Sequence, residues 1–194
     1  MDTGIRKPWR PILAWIAFNL LGWMAAPGLA LALGLPGSTF DSRAMLIVVI
    51  APPALAQWLV LRRLVGMTPL WLITIPLGFL IFIGLVVMTS TGVLQLPDDE
   101  GTATLSALYA VLGGLVGVLQ WLILRRYFRT AGIWVVASAA GTGIGLALVL
   151  ITDLMSPSGI AAIAVFVLTY AAFTGAALEW LLARGALRGA VRAA

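Results

Sequence analysis

The sequence contains no cysteine and no histidine. Without cysteine the chain cannot form a disulfide or a thiolate metal site. Without histidine it lacks the commonest metal ligand and the side chain that titrates near neutral pH. Haem ligation through either residue is excluded for the same reason. We therefore expect no metal site and no cofactor.

Charged residues are also scarce. They make up 10% of the 194 residues, whereas apolar residues make up 62%, and the mean hydropathy is +1.09. Soluble domains are about one quarter charged. The composition therefore predicts an integral membrane protein.

Six long apolar runs divide the chain, at about residues 11–34, 44–61, 70–94, 105–124, 132–152 and 160–183. A helix of about 20 residues crosses the hydrocarbon core of a bilayer, and helices satisfy their own backbone groups there. The runs predict an all-α fold with six transmembrane helices in a single domain, residues 1–194. The basic start before the first run is also typical of a signal peptide, but the length of the run favours a retained helix.

The positive charges follow the predicted loops unevenly. Arg43 falls on one side of the predicted membrane together with most of the acidic residues, and the other eleven basic residues fall on the opposite side. The positive-inside rule then places both termini in the cytoplasm. This distribution accounts for the net charge of +5 without a nucleic-acid partner.

A seven-residue motif recurs along the chain. It reads QWLVLRR from Gln57 to Arg63 and QWLILRR from Gln120 to Arg126, and an altered copy, EWLLARG, begins at Glu179. Residues 57–78 align with residues 120–141 without a gap. Each copy closes a pair of helices, so we predict three parallel two-helix repeats, about 1–64, 65–127 and 128–194. Such repeats favour a pseudo-threefold axis along the membrane normal.

Most tryptophans and many arginines occupy repeat positions. The indole side chains are expected to anchor the helices at the membrane interface, with a binding role as the alternative. The arginines that close the even helices are candidates for binding anionic lipid. The expected interface anchors are Trp15, Trp58, Trp71, Trp121, Trp134 and Trp180, and the lipid candidates are Arg62, Arg63, Arg125, Arg126 and Arg184.

The motif also puts one polar side chain at the same depth in each even helix: Gln57, Gln120 and Glu179. Small residues share the helix face of each, which favours a position inside the bundle. The three could join neighbouring repeats through hydrogen bonds, or form a polar ring that contacts a solute or closes a pore. A carboxylate at this depth is costly unless it is paired, so Glu179 is expected to have an arginine partner.

Residues 120–126, followed by AGIWVVAS from Ala131 to Ser138, resemble a repeat of uncharacterised bacterial multi-pass membrane proteins, which reads QWLVLRR followed by AGWWVLAS. The third copy departs from it at Glu179, Ala183 and Gly185. The resemblance implies an architecture and no activity. With the charge distribution it predicts a bacterial inner (cytoplasmic) membrane protein.

No residue set for intramembrane catalysis is present, so we do not expect an enzyme. Two functions remain open. The first is an accessory or scaffold subunit that binds lipid, partner helices or further copies of itself. The second is a passive channel or facilitator for a small neutral or cationic solute.

Overall fold

A computed structural model describes residues 9–32, 43–92, 101–152 and 160–184. These contain six α-helices: α1 (Trp9–Ala32), α2 (Arg43–Val65), α3 (Trp71–Ser90), α4 (Thr102–Leu124), α5 (Ile133–Ile151) and α6 (Ile160–Arg184). The predicted all-helical architecture is confirmed, and each helix coincides with one apolar run.

Three helices, α4, α5 and α6, are long and apolar enough to cross a membrane. Shorter apolar stretches, Pro11–Ala25 and Trp71–Leu85, lie in α1 and α3. Length and composition therefore support three membrane spans directly, and the other three spans stay predictions.

The helices form a closed ring in chain order. In the described part of the chain each helix packs against the helix before it and the helix after it, and α6 packs against α1. Among those residues the backbones of helices further apart in this order do not approach each other, and only side chains meet across the ring. The ring therefore surrounds a central axis, and residues on that axis come from different helices.

Consecutive helices run in opposite directions around this ring. Residues 66–70 join the end of α2 to the start of α3, and residues 125–132 join the end of α4 to the start of α5. The starts of α3 and α5 lie together, because Trp71 contacts Trp134, and Trp134 also contacts Trp15 of α1. Arg62 and Arg184 lie in the last turns of α2 and α6. We call this end of the ring the arginine end.

Glycines bring α5 close to both of its neighbours. A Cβ atom added to Gly143 would lie 2.8 Å from the Cβ of Ala110 on α4, and one added to Gly141 would lie 3.0 Å from the Cα of Tyr170 on α6. The first distance is too short for a Cβ atom, and the second is tighter than nearly all real Cβ contacts. The smooth face of α5 therefore serves helix packing, as is typical of small residues in membrane helices.

Candidate functional site

Three tryptophans from the odd helices meet at the arginine end. Trp134 lies 5.5 Å from Trp15 and 5.8 Å from Trp71 between ring centroids, and both pairs are edge-on at 78°. None of the three has any exposed surface. Edge-to-face packing of aromatic rings is favourable. We call these three side chains the indole cluster.

The indole cluster corrects half of the interface-anchor prediction. A side chain without exposed surface does not reach lipid head groups, so Trp15, Trp71 and Trp134 act as core residues. An amphipathic indole is stable at an interface, but it is equally stable in a core where its ring is packed and its N–H has an acceptor. Sequence position alone did not distinguish these two environments.

The other three repeat tryptophans make one shared contact with an arginine four residues later. The guanidinium carbon lies over the indole at 5.0 Å for Arg62 on Trp58, at 5.2 Å for Arg125 on Trp121 and at 5.4 Å for Arg184 on Trp180. These are cation–π distances. The candidate lipid-binding arginines, Arg62, Arg63, Arg125, Arg126 and Arg184, are all exposed. Their binding to lipid stays a prediction.

Gln57 and Gln120 are both buried inside the ring. Gln57 donates from Nε2 to Asn19 Oδ1 at 2.7 Å, and Asn19 donates from Nδ2 to the backbone oxygen of Trp15 at 2.9 Å. Gln120 Oε1 accepts a 2.7 Å hydrogen bond from Trp134 Nε1. Trp134 of the indole cluster thus holds Gln120 directly, and the backbone of Trp15 holds Gln57 through Asn19.

The hydrogen-bond partners determine which amide atom each glutamine leaves free. A backbone carbonyl only accepts, so Asn19 must turn its NH₂ group to Trp15 and its oxygen to Gln57. Gln57 must then use its NH₂ group, which leaves Oε1 unpaired. An indole N–H only donates, so Gln120 must use its oxygen, which leaves Nε2 unpaired. The structure has both of these atoms buried without a partner.

The two free amide groups converge on one phenol. Tyr170 of α6 places its hydroxyl near the side chains of Gln57, Gln120 and Ser138, but none of the three reaches it with the geometry of a full hydrogen bond. The hydroxyl of Ser138 is also buried without a hydrogen-bond partner. Unpaired donors and acceptors from α2, α4 and α5 therefore surround one point near the axis.

A cavity of about 270 Å³ adjoins this point, and we call it the central chamber. All six helices contribute to its wall, which is mostly aromatic and aliphatic. The lining residues are Trp23, Gln57, Ile75, Gly78, Phe79, Phe82, Tyr109, Leu112, Gly113, Val116, Gln120, Thr142, Phe166, Val167 and Tyr170. In every odd helix the lining residues come after the tryptophan of the indole cluster in the sequence. The indole cluster therefore lies between the chamber and the arginine end, and it closes the chamber there.

Glu179 does not join the two glutamines, and this corrects the predicted polar ring. Its side chain is only partly buried, it does not line the chamber, and it forms no ion pair with another described residue. Thr174 lies at the corresponding contact between α6 and α1, where its Oγ1 accepts a 2.9 Å hydrogen bond from Trp15 Nε1. A short hydroxyl thus replaces the amide at the third junction.

Sequence reasoning missed most of the other polar residues of the site, namely Asn19, Ser138, Tyr170 and Thr174. The repeat did carry a signal for the hydrogen bond between Gln120 and Trp134. Trp71 follows Gln57 at the same separation as Trp134 follows Gln120, so the repeat predicts this hydrogen bond in both copies. Only the second bond forms, and Trp71 Nε1 is buried without a partner.

No protein-family model, curated protein or solved structure matches this chain. The resemblance of the repeated motif to uncharacterised bacterial membrane proteins therefore stays a prediction.

Proposed function

We propose that this chain is a non-catalytic membrane protein that binds one small, neutral, mostly apolar molecule in its central chamber. The observation that carries the proposal is the chamber itself, in which two buried glutamines leave amide atoms unpaired within an aromatic wall. Binding sites for small molecules are typically apolar with a few polar groups that fix the orientation. A buried polar atom without a partner costs about 1–3 kcal/mol, and a bound molecule would remove part of that cost.

The size of the chamber limits the size of its occupant. An apolar cavity of about 150 Å³ holds one benzene molecule. By that scale the chamber, at about 270 Å³, holds about ten non-hydrogen atoms. A single substituted ring fits this limit, and a whole phospholipid does not.

The proposal places all six helices across a bacterial inner membrane, with both termini and the arginine end in the cytoplasm. Helices α1, α2 and α3 have 24, 23 and 20 residues, which is the length that a bilayer requires. They also belong to the same closed ring as the three more apolar helices. The arginines at the helix ends agree with the positive-inside rule. The shared tryptophan–arginine contact supports three equivalent repeats about a pseudo-threefold axis.

Binding to the chamber is tested with acetophenone, a neutral single-ring molecule, titrated into the protein in lipid nanodiscs. Titration into empty nanodiscs corrects for partition into lipid. Val167 lines the chamber and is 1% exposed, so Val167→Phe fills it and should weaken binding at least tenfold. Leu168→Phe makes the same kind of addition at the next residue, which is 42% exposed on the outer face, and should leave binding unchanged. Equal binding by all three proteins, or by none of them, would contradict the proposal.

A passive facilitator is the second candidate, because the chamber lies on the axis of a ring to which every helix contributes. Passage of a solute would require the indole cluster to separate. Trp134→Ala should therefore raise the flux of glycerol into proteoliposomes, measured by light scattering, whereas Trp180→Ala on the outer side should not. No flux through either variant would refute this candidate. The role of an accessory or scaffold subunit, bound to partner helices or to further copies, stays a prediction.

A further inference from the structure

We infer that the central chamber recognises a planar amide edge, in which an N–H donor and a carbonyl acceptor lie side by side. Primary carboxamides and lactams on a single ring are the chemical class that presents this edge. The inference rests on the proposed function, and it specifies the ligand by the polarity of the groups that the chamber leaves free.

The two free groups have opposite polarity. Gln57 offers an acceptor, Oε1, because its NH₂ group is used by Asn19. Gln120 offers a donor, Nε2, because its oxygen is used by Trp134. An amide ligand would donate to Gln57 and accept from Gln120. A ketone would use only Gln120, and a hydrocarbon would use neither.

Both groups are within reach of one ligand head. Each glutamine lies beside the hydroxyl of Tyr170, as does Ser138. Hydroxyl groups donate or accept as required, so Tyr170 and Ser138 do not select an orientation, and the two glutamines do. Both amide atoms are buried, so an amide head reaches them by taking the place of the phenol hydroxyl.

The wall restricts the rest of the ligand. Phe82 and Phe166 flank Tyr109, with ring centroids 6.0 and 6.4 Å away and edge-on orientations. Aromatic side chains arranged in this way favour contact with another flat ring. No charged side chain lines the chamber among the described residues. An ammonium or carboxylate ligand would lose its hydration without a counter-charge, so the ligand should be neutral.

Benzamide and acetophenone test this inference, because they differ only by an NH₂ group in place of a methyl group. Titration into nanodiscs that hold the unmodified protein should show benzamide binding about five to ten times more tightly, which corresponds to one net hydrogen bond. Benzoate, which is charged, should not bind. Gln57→Leu removes the acceptor for the NH₂ group and should make benzamide and acetophenone bind equally.

Thr169→Val is the matched control variant. The Thr169 hydroxyl bonds only to the backbone of its own helix, at Val165, and does not line the chamber. The preference for benzamide should persist in this variant. If Gln57→Leu does not fold, the comparison of the two ligands on the unmodified protein decides the question by itself.

The outcomes separate this inference from the proposed function. Equal binding of benzamide and acetophenone to the unmodified protein would overturn the amide preference and leave the binding chamber intact. A preference for benzamide that survives Gln57→Leu would also overturn it, since the acceptor would then lie elsewhere. If neither benzamide nor acetophenone binds, the proposed binding function of the chamber is refuted as well.

Discussion

The hydrogen bond between Trp134 and Gln120 should contribute about 1 kcal/mol to the stability of the ring. The perturbation is a double-mutant cycle with Gln120→Leu, Trp134→Phe and the two changes together. Gln120→Leu leaves a buried indole N–H without an acceptor, and Trp134→Phe leaves a buried amide oxygen without a donor. Each single change should cost about 1–3 kcal/mol from the unpaired group, and Trp134→Phe costs more through lost ring contacts.

The magnitude follows from the geometry of the bond. The donor–acceptor distance is 2.7 Å, and both residues have no exposed surface. Hydrogen bonds between membrane helices contribute about 0.6 kcal/mol on average and up to about 1.7 kcal/mol. A short bond in a dry core belongs in the upper part of that range. We therefore expect the sum of the two single losses in unfolding free energy to exceed the loss in the double variant by about 1–1.5 kcal/mol.

The repeat supplies a matched cycle. Gln57 and Trp71 have the same separation in sequence, yet Gln57 Oε1 and Trp71 Nε1 are both unpaired. Gln57→Leu also breaks the bond to Asn19, but this loss is present in the single and double variants and cancels. The coupling between Gln57→Leu and Trp71→Phe should therefore stay within about 0.5 kcal/mol of zero.

Both cycles are measured by reversible denaturant unfolding in mixed micelles, followed by near-ultraviolet circular dichroism, which reports the packed indoles. A coupling near zero for Gln120 and Trp134 would refute the assignment of this bond. Equal couplings in the two cycles would contradict the difference between the two repeats. Gln57 Oε1 would then be bonded to Trp71, and the amide preference would lose the acceptor on which it depends.

Three further predictions concern the packing, the arginine end and Glu179, and the same unfolding assay tests them. Gly143→Ala should cost about 1–3 kcal/mol, because its Cβ would lie 2.8 Å from a side chain of α4. Gly84→Ala, where a Cβ meets nothing within 4 Å, should stabilise by about 0.5–1 kcal/mol; the reverse order would contradict the close approach of α4 and α5. Arg125→Gln should cost about 0.5–1 kcal/mol through its cation–π contact, more than Arg126→Gln, and equal losses would count against that contact. Glu179→Gln should change stability by less than about 0.5 kcal/mol and leave benzamide binding unchanged; a larger loss would indicate a charge partner.

Helix number and helix position were predictable because they depend on local properties. The six apolar runs of about 20 residues correspond to α1 to α6. The burial of Gln57 and Gln120 was also predictable, since small residues share their helix faces. The same argument failed for Glu179, where small neighbours on the helix did not bring the carboxylate to the axis.

The sequence by itself determined an all-helical protein with six apolar helices, a recurring tryptophan–arginine motif and two buried amides. Only the tertiary structure decided which tryptophans form the indole cluster, which amide atoms stay unpaired, and that a chamber lies beyond them. The physical reason is the rotation of each helix about its own axis. A helix that is apolar on every side carries little indication of its inward face, so contacts with the two neighbours set that face. The direction of each glutamine amide depends in turn on whether its partner donates or accepts, and those partners lie on other helices.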